Sequence, residues 1–248
     1  MACQKKKLSE ILFSLEDIGE WKDEFEKRKD KITRLLEKID ERNDTFYPYP
    51  EDVFNSFRKT PLEKVTVVIW GQDPYPKLLR NGKTRAQGYA FGVSREDSVP
   101  GSLKNIYKEM SSCFDSFSEP NHGDLTWLCD QGIFFMNSAL TYNPEDPKSH
   151  QGIWMRFTHI IIDIINKKLD NCIHILWGSA GKKLSDSIAS KNILEASHPS
   201  PLSAYRGFFG CRHFEKINIL LDRQGKKQIN WNEDHTLPPT FVEKLSSK

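Results

Sequence analysis

Four short stretches hold side chains able to do chemistry. GQDPYP places Asp73 between Gln72 and Pro74, directly after the apolar run VTVVIW. FFMNSAL brings Asn137, and LWGSAGKK brings Ser179. HPSPLSAYRGFFGCRHF brings His198, Ser200, Leu202, Arg206, Arg212 and His213. Tyr75 and Phe91 add aromatic faces. A carboxylate can stabilise developing positive charge and orient a water. A side-chain amide offers donor and acceptor side by side, matching one edge of a nucleobase, and an aromatic face can stack on the ring. Turns rich in Pro, Gly and Ser present backbone N–H groups to phosphate. A leucine held between turn residues and beside cations suits a wedge entering a base stack. Together these types point to an enzyme that extracts a base from DNA and works on it.

Each residue taken singly has a plainer reading. Asp73 suits a turn, Asn137 a strand cap, and His198 a satisfied structural histidine. Phe91 and Leu202 suit packing, and Arg206 and Arg212 suit a solvated surface. Their order along the chain favours the chemical reading. Other chemistries lack their marks. GSAGKK has neither the loop spacing of a phosphate-binding P-loop nor the hydroxyl after its lysine, and no GxGxxG is present. A Ser-His-Asp hydrolase is disfavoured because Ser200 is two residues from His198 and no GxSxG elbow exists.

The elements that must position these residues are legible as periodicity. Four strand-length apolar runs fall at 65–70, 133–137, 172–177 and 192–196. Helical patterns lie around them at 102–117, 152–169, 179–189 and 212–223, the first with Ser102 as its expected N-cap. Continuous apolar strands alternating with helices predict a three-layer α/β/α fold with a central four-stranded parallel sheet. Ligands bind such sheets at the carboxyl ends of the strands, which places all four stretches on one rim. Residues 1–60 read as a helical extension packed on a 61–248 core. Its segment 21–42 carries Phe25, Ile32, Leu35, Leu36 and Ile39 at helical spacing.

Composition narrows the class further. The chain has 248 residues, 38% hydrophobic and 28% charged, with 36 Lys and Arg against 34 Asp and Glu. The near balance assigns nucleic-acid affinity to local basic patches rather than to a global field. No apolar run reaches the roughly 20 residues that span a bilayer. The five cysteines are odd in number and widely spaced, which predicts reduced thiols in a nuclear or cytoplasmic setting, or a viral factory, and not a secreted protein. No side-chain cluster has metal-ligand spacing.

GQDPY, GYAFGV, FFMNSAL, LWGSAG and HPSPLSAYRGFFGCRHF resemble the five signature segments of family 1 uracil-DNA glycosylases. The resemblance spans roughly Val65 to Trp231. It implies hydrolysis of the N-glycosidic bond between uracil and DNA, initiating base excision repair without metal or cofactor. It also implies roles. Asp73 would position water, and Gln72 would contact the uracil pocket. Tyr75 would crowd C5 and reject thymine, and Phe91 would stack on uracil. Asn137 would read the O4 and N3 edge, and His198 would donate to O2. Leu202 would intercalate, with Arg206 beside it, while Ser102, Ser179 and Ser200 would grip the phosphate backbone. Single- and double-stranded DNA containing uracil would be substrates, a monomer the assembly, and a replication protein a partner of the N-terminal extension.

The chain departs from that pattern in three places. Pro76 stands where most cellular members carry histidine. The insertion KLLRNGKTRA brings Lys77, Arg80, Lys83 and Arg85 with no acid, which predicts contact with phosphates. The usual proline-rich loop is reduced to SVPGS. The alternative reading keeps the fold but makes it a DNA-bound polymerase-accessory module.

Overall fold

The computed structural model describes residues 6–79 and 81–233, so Cys3 and Arg80 lie outside the described residues. In chain order the helices are α1 (Leu8–Phe13), α2 (Trp21–Glu26), α3 (Lys29–Asp40), α4 (Asn55–Lys59), α5 (Gly101–Cys113), α6 (Thr126–Cys129), α7 (Gln151–Lys168), α8 (Gly178–Lys182) and α9 (His213–Arg223). The strands are β1 (Val67–Gly71), β2 (Ile133–Asn137), β3 (Ile173–Trp177) and β4 (Ile193–Ala196). They form one parallel sheet in the order β2-β1-β3-β4.

The apolar runs explain the layering. Successive strand side chains alternate between faces, so a sheet covered on both sides needs apolar residues at every position. Val68, Trp70, Phe134, Met136 and Leu176 enter one core, with α1, α2, α3, α4 and α7 packed over it. Val67, Ile69, Ile133, Phe135, Ile173, Ile175 and Trp177 enter the other, beneath α5, α6 and α9. The architecture is the three-layer α/β/α sandwich with four parallel strands. Among the described residues no helix is long and apolar enough to cross a membrane.

The N-terminal helices are part of the first core. The Trp21 ring lies 5.2 Å from both Phe57 and Phe134, and its indole N–H donates to the Thr60 carbonyl at 3.0 Å. Phe25 packs edge-on to Phe57 at 5.1 Å and tilts against Phe157 of α7 at 6.5 Å. Truncating a buried phenylalanine of this kind to alanine costs about 3–5 kcal/mol.

Several boundaries differ from the sequence expectation. The helix expected over 21–42 is two, α2 and α3. At the break the Arg28 guanidinium turns back to the Glu24 carbonyl and carboxylate and reaches Asp163 of α7. Ser102 is not the N-cap of α5. That helix starts at Gly101, with Pro100 as the extended residue before it. The expected 179–189 helix stops at Lys182 and resumes as a 3₁₀ turn, Ser185–Ser187. α1, α4 and α6 are too short to show a helical period in sequence.

Each face holds a tryptophan–histidine pair, across two strands on one face and between β3 and α9 on the other. Trp70 Nε1 donates to His174 Nδ1 at 3.2 Å in the first core, and Trp177 Nε1 donates to His213 Nδ1 at 3.1 Å in the second. Accepting at Nδ1 leaves each neutral imidazole its proton on Nε2. Burial pushes both histidines down to about 4.

Candidate active site

The site begins where β1 and β2 end side by side. Gly71 is in register with Asn137. A Cβ on Gly71 would fall 2.1 Å from Asn137 Oδ1 and 2.7 Å from the Ala90 Cβ, so only glycine leaves room for the amide. Beyond the strands the pairing continues into the turns. Ser138 N donates to the Gly71 carbonyl at 3.0 Å, and Ala139 N to that of Gln72 at 2.9 Å. The Ser138 hydroxyl donates to the same Gln72 carbonyl at 3.0 Å. These bonds fix the backbone of Gln72 and deliver Asp73 to the rim. Asn137 is only 6% exposed, and among the described residues no hydrogen bond holds its amide. A buried amide facing a cavity without a protein partner is a group awaiting a ligand.

Asp73 is half-buried. Desolvation raises its carboxyl above the ordinary aspartate range, opposed by a long 3.4 Å contact from Gln72 Nε2. The rest of its acceptor capacity faces the cavity.

Tyr75 donates its hydroxyl to the Phe91 carbonyl at 3.1 Å. Phe91 itself has φ of 64°, a left-handed backbone that an aromatic residue adopts at a cost of order 1–3 kcal/mol. The conformation is held on several sides. Tyr75 takes its carbonyl, and its ring lies edge-on to Trp177 at 5.6 Å and tilted to His198 at 5.9 Å. The result is a fixed aromatic plate beside the imidazole.

His198 follows β4 and packs against the turn after β3. Gly178 has φ of 80°, and a Cβ there would meet His198 Cβ at 2.9 Å. Ser200 N donates to His198 Nδ1 at 3.0 Å, and Ser203 Oγ donates to the His198 carbonyl at 2.8 Å. Nδ1 is therefore an acceptor, and the neutral ring carries its proton on Nε2. Desolvation lowers the His198 pKa, which keeps the ring in that neutral form.

Gln72, Asp73, Tyr75, Phe91, Ser102, Asn137 and His198 line one cavity of about 200 Å³. A cavity of roughly 150 Å³ holds a benzene ring, so this one has room for a single pyrimidine. Pro74, Pro76, Ala86, Gly88 and Tyr89 complete its wall. The other sequence candidates stand outside it. Ser179 and Arg206 are exposed, and Leu202 is 88% exposed on the loop after His198. Ser200 is half-buried, and its hydroxyl accepts from Leu202 N at 3.1 Å, so it shapes the loop that presents the leucine.

Two residues expected beside Leu202 are committed elsewhere. Arg212 donates from Nε to Glu215 at 2.6 Å, and His213 is buried against Trp177. Sequence reasoning also missed Tyr205. It is 80% exposed, three residues from Leu202, and its ring is T-shaped to Phe209 at 5.0 Å. In sequence, nothing separates Tyr205 from the buried aromatics around it. A larger cavity of about 320 Å³, between Lys6, Lys7 and the end of α3, gathers no comparable set. Among the described residues no group of three or more His, Cys, Asp or Glu side chains could hold a metal ion.

Residues 57–222 match the model of the Uracil DNA glycosylase superfamily. The chain is 43% identical over 219 residues to the uracil-DNA glycosylase of Buchnera aphidicola, covering 85% of this chain and 97% of that protein. It is 42% identical over 192 residues to the human uracil-DNA glycosylase, covering 76% of this chain and 60% of that protein. The crystal structure of mimivirus uracil-DNA glycosylase superposes with a TM-score of 0.81 at 32% identity, over 92% of this chain and 90% of that one. The chain belongs to the uracil-DNA glycosylase family and hydrolyses the N-glycosyl bond that joins uracil to DNA.

Proposed function

We propose that the cavity residues divide the reaction between them. The flipped uracil stacks on Phe91, and Asn137 pairs with its O4 and N3 edge. Gln72 borders the base at the rim. Tyr75 closes the space at C5, where thymine carries its methyl group. Cleavage breaks the bond between C1′ and N1, and its electron pair leaves with the base. Positive charge develops on the sugar and negative charge on uracil. The Asp73 carboxylate stabilises the first and orients the attacking water, whose oxygen bonds to C1′ as its proton passes to that carboxylate. The His198 Nε2–H group stabilises the second at uracil O2. A neutral donor is sufficient there, because a preorganised dipole acts where charge appears only in the transition state.

Around the cavity, Leu202 enters the stack vacated by the base, with Arg206 on the adjacent phosphates. Ser102 and Ser179, in the first turns of α5 and α8, and Ser200, in the loop after β4, hold the backbone. No metal or cofactor enters this scheme. Single- and double-stranded DNA serve as substrates, the enzyme acts as a monomer in the nucleus or cytoplasm, and the segment 1–60 is the surface for a replication partner.

One observation carries this reading. Asp73, Asn137 and the Nε2–H tautomer of His198 converge on one pyrimidine-sized cavity floored by Phe91. The test is Asp73→Asn, with uracil release from single-stranded DNA measured at saturating enzyme. Excision should fall by orders of magnitude while binding persists, because the loss is confined to the transition state. Near-normal turnover would assign the work to another group.

A further inference from the structure

The basic insertion after Pro76 is not a free loop of cations. Leu79 N donates to the Lys83 carbonyl at 2.8 Å and Arg85 N to that of Lys77 at 3.0 Å, so the segment closes on itself as a hairpin. Tyr49 anchors its tip through the Gly82 carbonyl at 2.8 Å. Lys77 and Lys83 point to solvent. Arg85 does not: its side chain is 19% exposed and turns towards the cavity wall.

Its guanidinium makes three kinds of contact at once. Nε lies 2.8 Å from Asp97 Oδ2, on a carboxylate only 8% exposed. Nη2 donates to the Ser98 carbonyl at 2.6 Å and to its hydroxyl at 3.1 Å. The guanidinium carbon stands 5.7 Å from the centre of the Tyr75 ring. That ring is already tied to Phe91 through its hydroxyl. Arg85 thus joins the hairpin, the wall of the cavity at C5, and the 97–98 turn that leads into Ser102. This turn opens the SVPGS segment, where prolines are few. A cross-strut from a planar fork can replace the stiffness that a proline run would give.

We propose that Arg85 is a positioning residue for base selection. It clamps the Tyr75 ring and the 97–98 turn together, so that exclusion of 5-substituted pyrimidines depends on a cation from the insertion. The proposal rests on Tyr75 forming the wall at C5. Arg85 does not contact the reacting atoms, and its loss should loosen the wall more than it slows the chemistry.

The test measures single-turnover release of uracil and of 5-bromouracil, whose bromine stands in for the thymine methyl, from single-stranded DNA. Arg85→Ala should raise the ratio of 5-bromouracil to uracil release about tenfold or more, the range that one methyl-sized group is worth in a pocket. Uracil release alone should change less. Arg85→Lys keeps the charge but not the fork, and should fall between Arg85→Ala and wild type. Asp97→Asn should move the ratio in the same direction, which keeps the test available if Arg85→Ala does not fold. The salt dependence of DNA binding should stay unchanged. Tyr75→Ala is run in parallel. A raised ratio in Tyr75→Ala with none in Arg85→Ala, Arg85→Lys or Asp97→Asn overturns the clamp and leaves the wall standing. An unmoved ratio in Tyr75→Ala removes the wall, and the clamp with it. A log–log salt slope shallower by about 0.7 in Arg85→Ala, the value of one single-strand phosphate contact, would return Arg85 to the DNA backbone and also overturn the proposal.

Discussion

At the scale of single residues, the two central groups are held in opposite electrostatic conditions by the same cause. Burial raises the Asp73 carboxyl and lowers the His198 imidazole, and each shift disfavours charge. For Asp73 the proposed chemistry requires the disfavoured form. A raised folded pKa means that the folded state holds the proton more tightly than the unfolded chain, so this group's contribution to stability falls as pH rises through that pKa. Asp73→Asn should therefore melt at or above the wild-type temperature at pH 7, while excising almost nothing. A clear drop in its melting temperature would show that the carboxylate serves the fold. The pH–rate profile should fall only on the acid side, as Asp73 takes up its proton, and show no limb on the mildly alkaline side. A limb at or above 6.5 that vanishes in His198→Gln would mean that His198 titrates unshifted. The residues that the structure gathers around the cavity were legible in the sequence because the proposed reaction calls for their types. The partners of Arg85 and Arg212 were not, and nor was the exposure of Tyr205. The placing of the two arginines depends on which partner folds back to meet them, and Asp97 and Glu215 carry no sequence mark that selects Arg85 and Arg212.

At the scale of elements, the site depends on two strand ends meeting without side-chain interference. Gly71→Ala tests that directly, since its Cβ would displace the Asn137 amide or the Ala90 segment. Misplacement of a binding group by about 1 Å costs on the order of 100-fold in rate. We expect a loss of that size in kcat/KM for uracil DNA, with the parallel sheet retained by circular dichroism. Unchanged kinetics would show that the Asn137 amide is not used where it stands. β1, β2 and β3 were readable because strands buried on both faces need unbroken apolar runs, whereas the edge strand β4 is half-exposed and carries Glu195. Their register was not, nor was the short α4, whose residues are positioned by contacts distant in sequence. At the split of the expected 21–42 helix, Arg28 holds Glu24 and reaches a carboxylate on α7 that the local sequence does not contain.

At the scale of the whole molecule, the two cores each contain a neutral histidine bonded to a tryptophan. In the unfolded chain these histidines take up protons near their ordinary pKa of about 6.5, whereas folded they resist to about 4. The unfolded state thus binds more protons between those values, and stability falls as pH drops through the window. At pH 5 each histidine should withdraw on the order of 2 kcal/mol relative to pH 7.5. Urea midpoints at the two pH values should show it, and His213→Asn should reduce the difference. A midpoint that does not move would mean that the pairs open to solvent before global unfolding.

The N-terminal helices also set a clock. Arg28 and its partner Asp163 are 135 residues apart in sequence, and Trp21 and Phe25 wait similarly for Phe134 and Phe157. At roughly 5–20 residues per second on the ribosome, the first helices wait about 7–27 s for α7. Phe57 reaches Trp21 and Phe25 early, but the part of their surface that faces Phe134 and Phe157 stays open until those residues arrive. The first core therefore closes late in synthesis, long before any DNA is met.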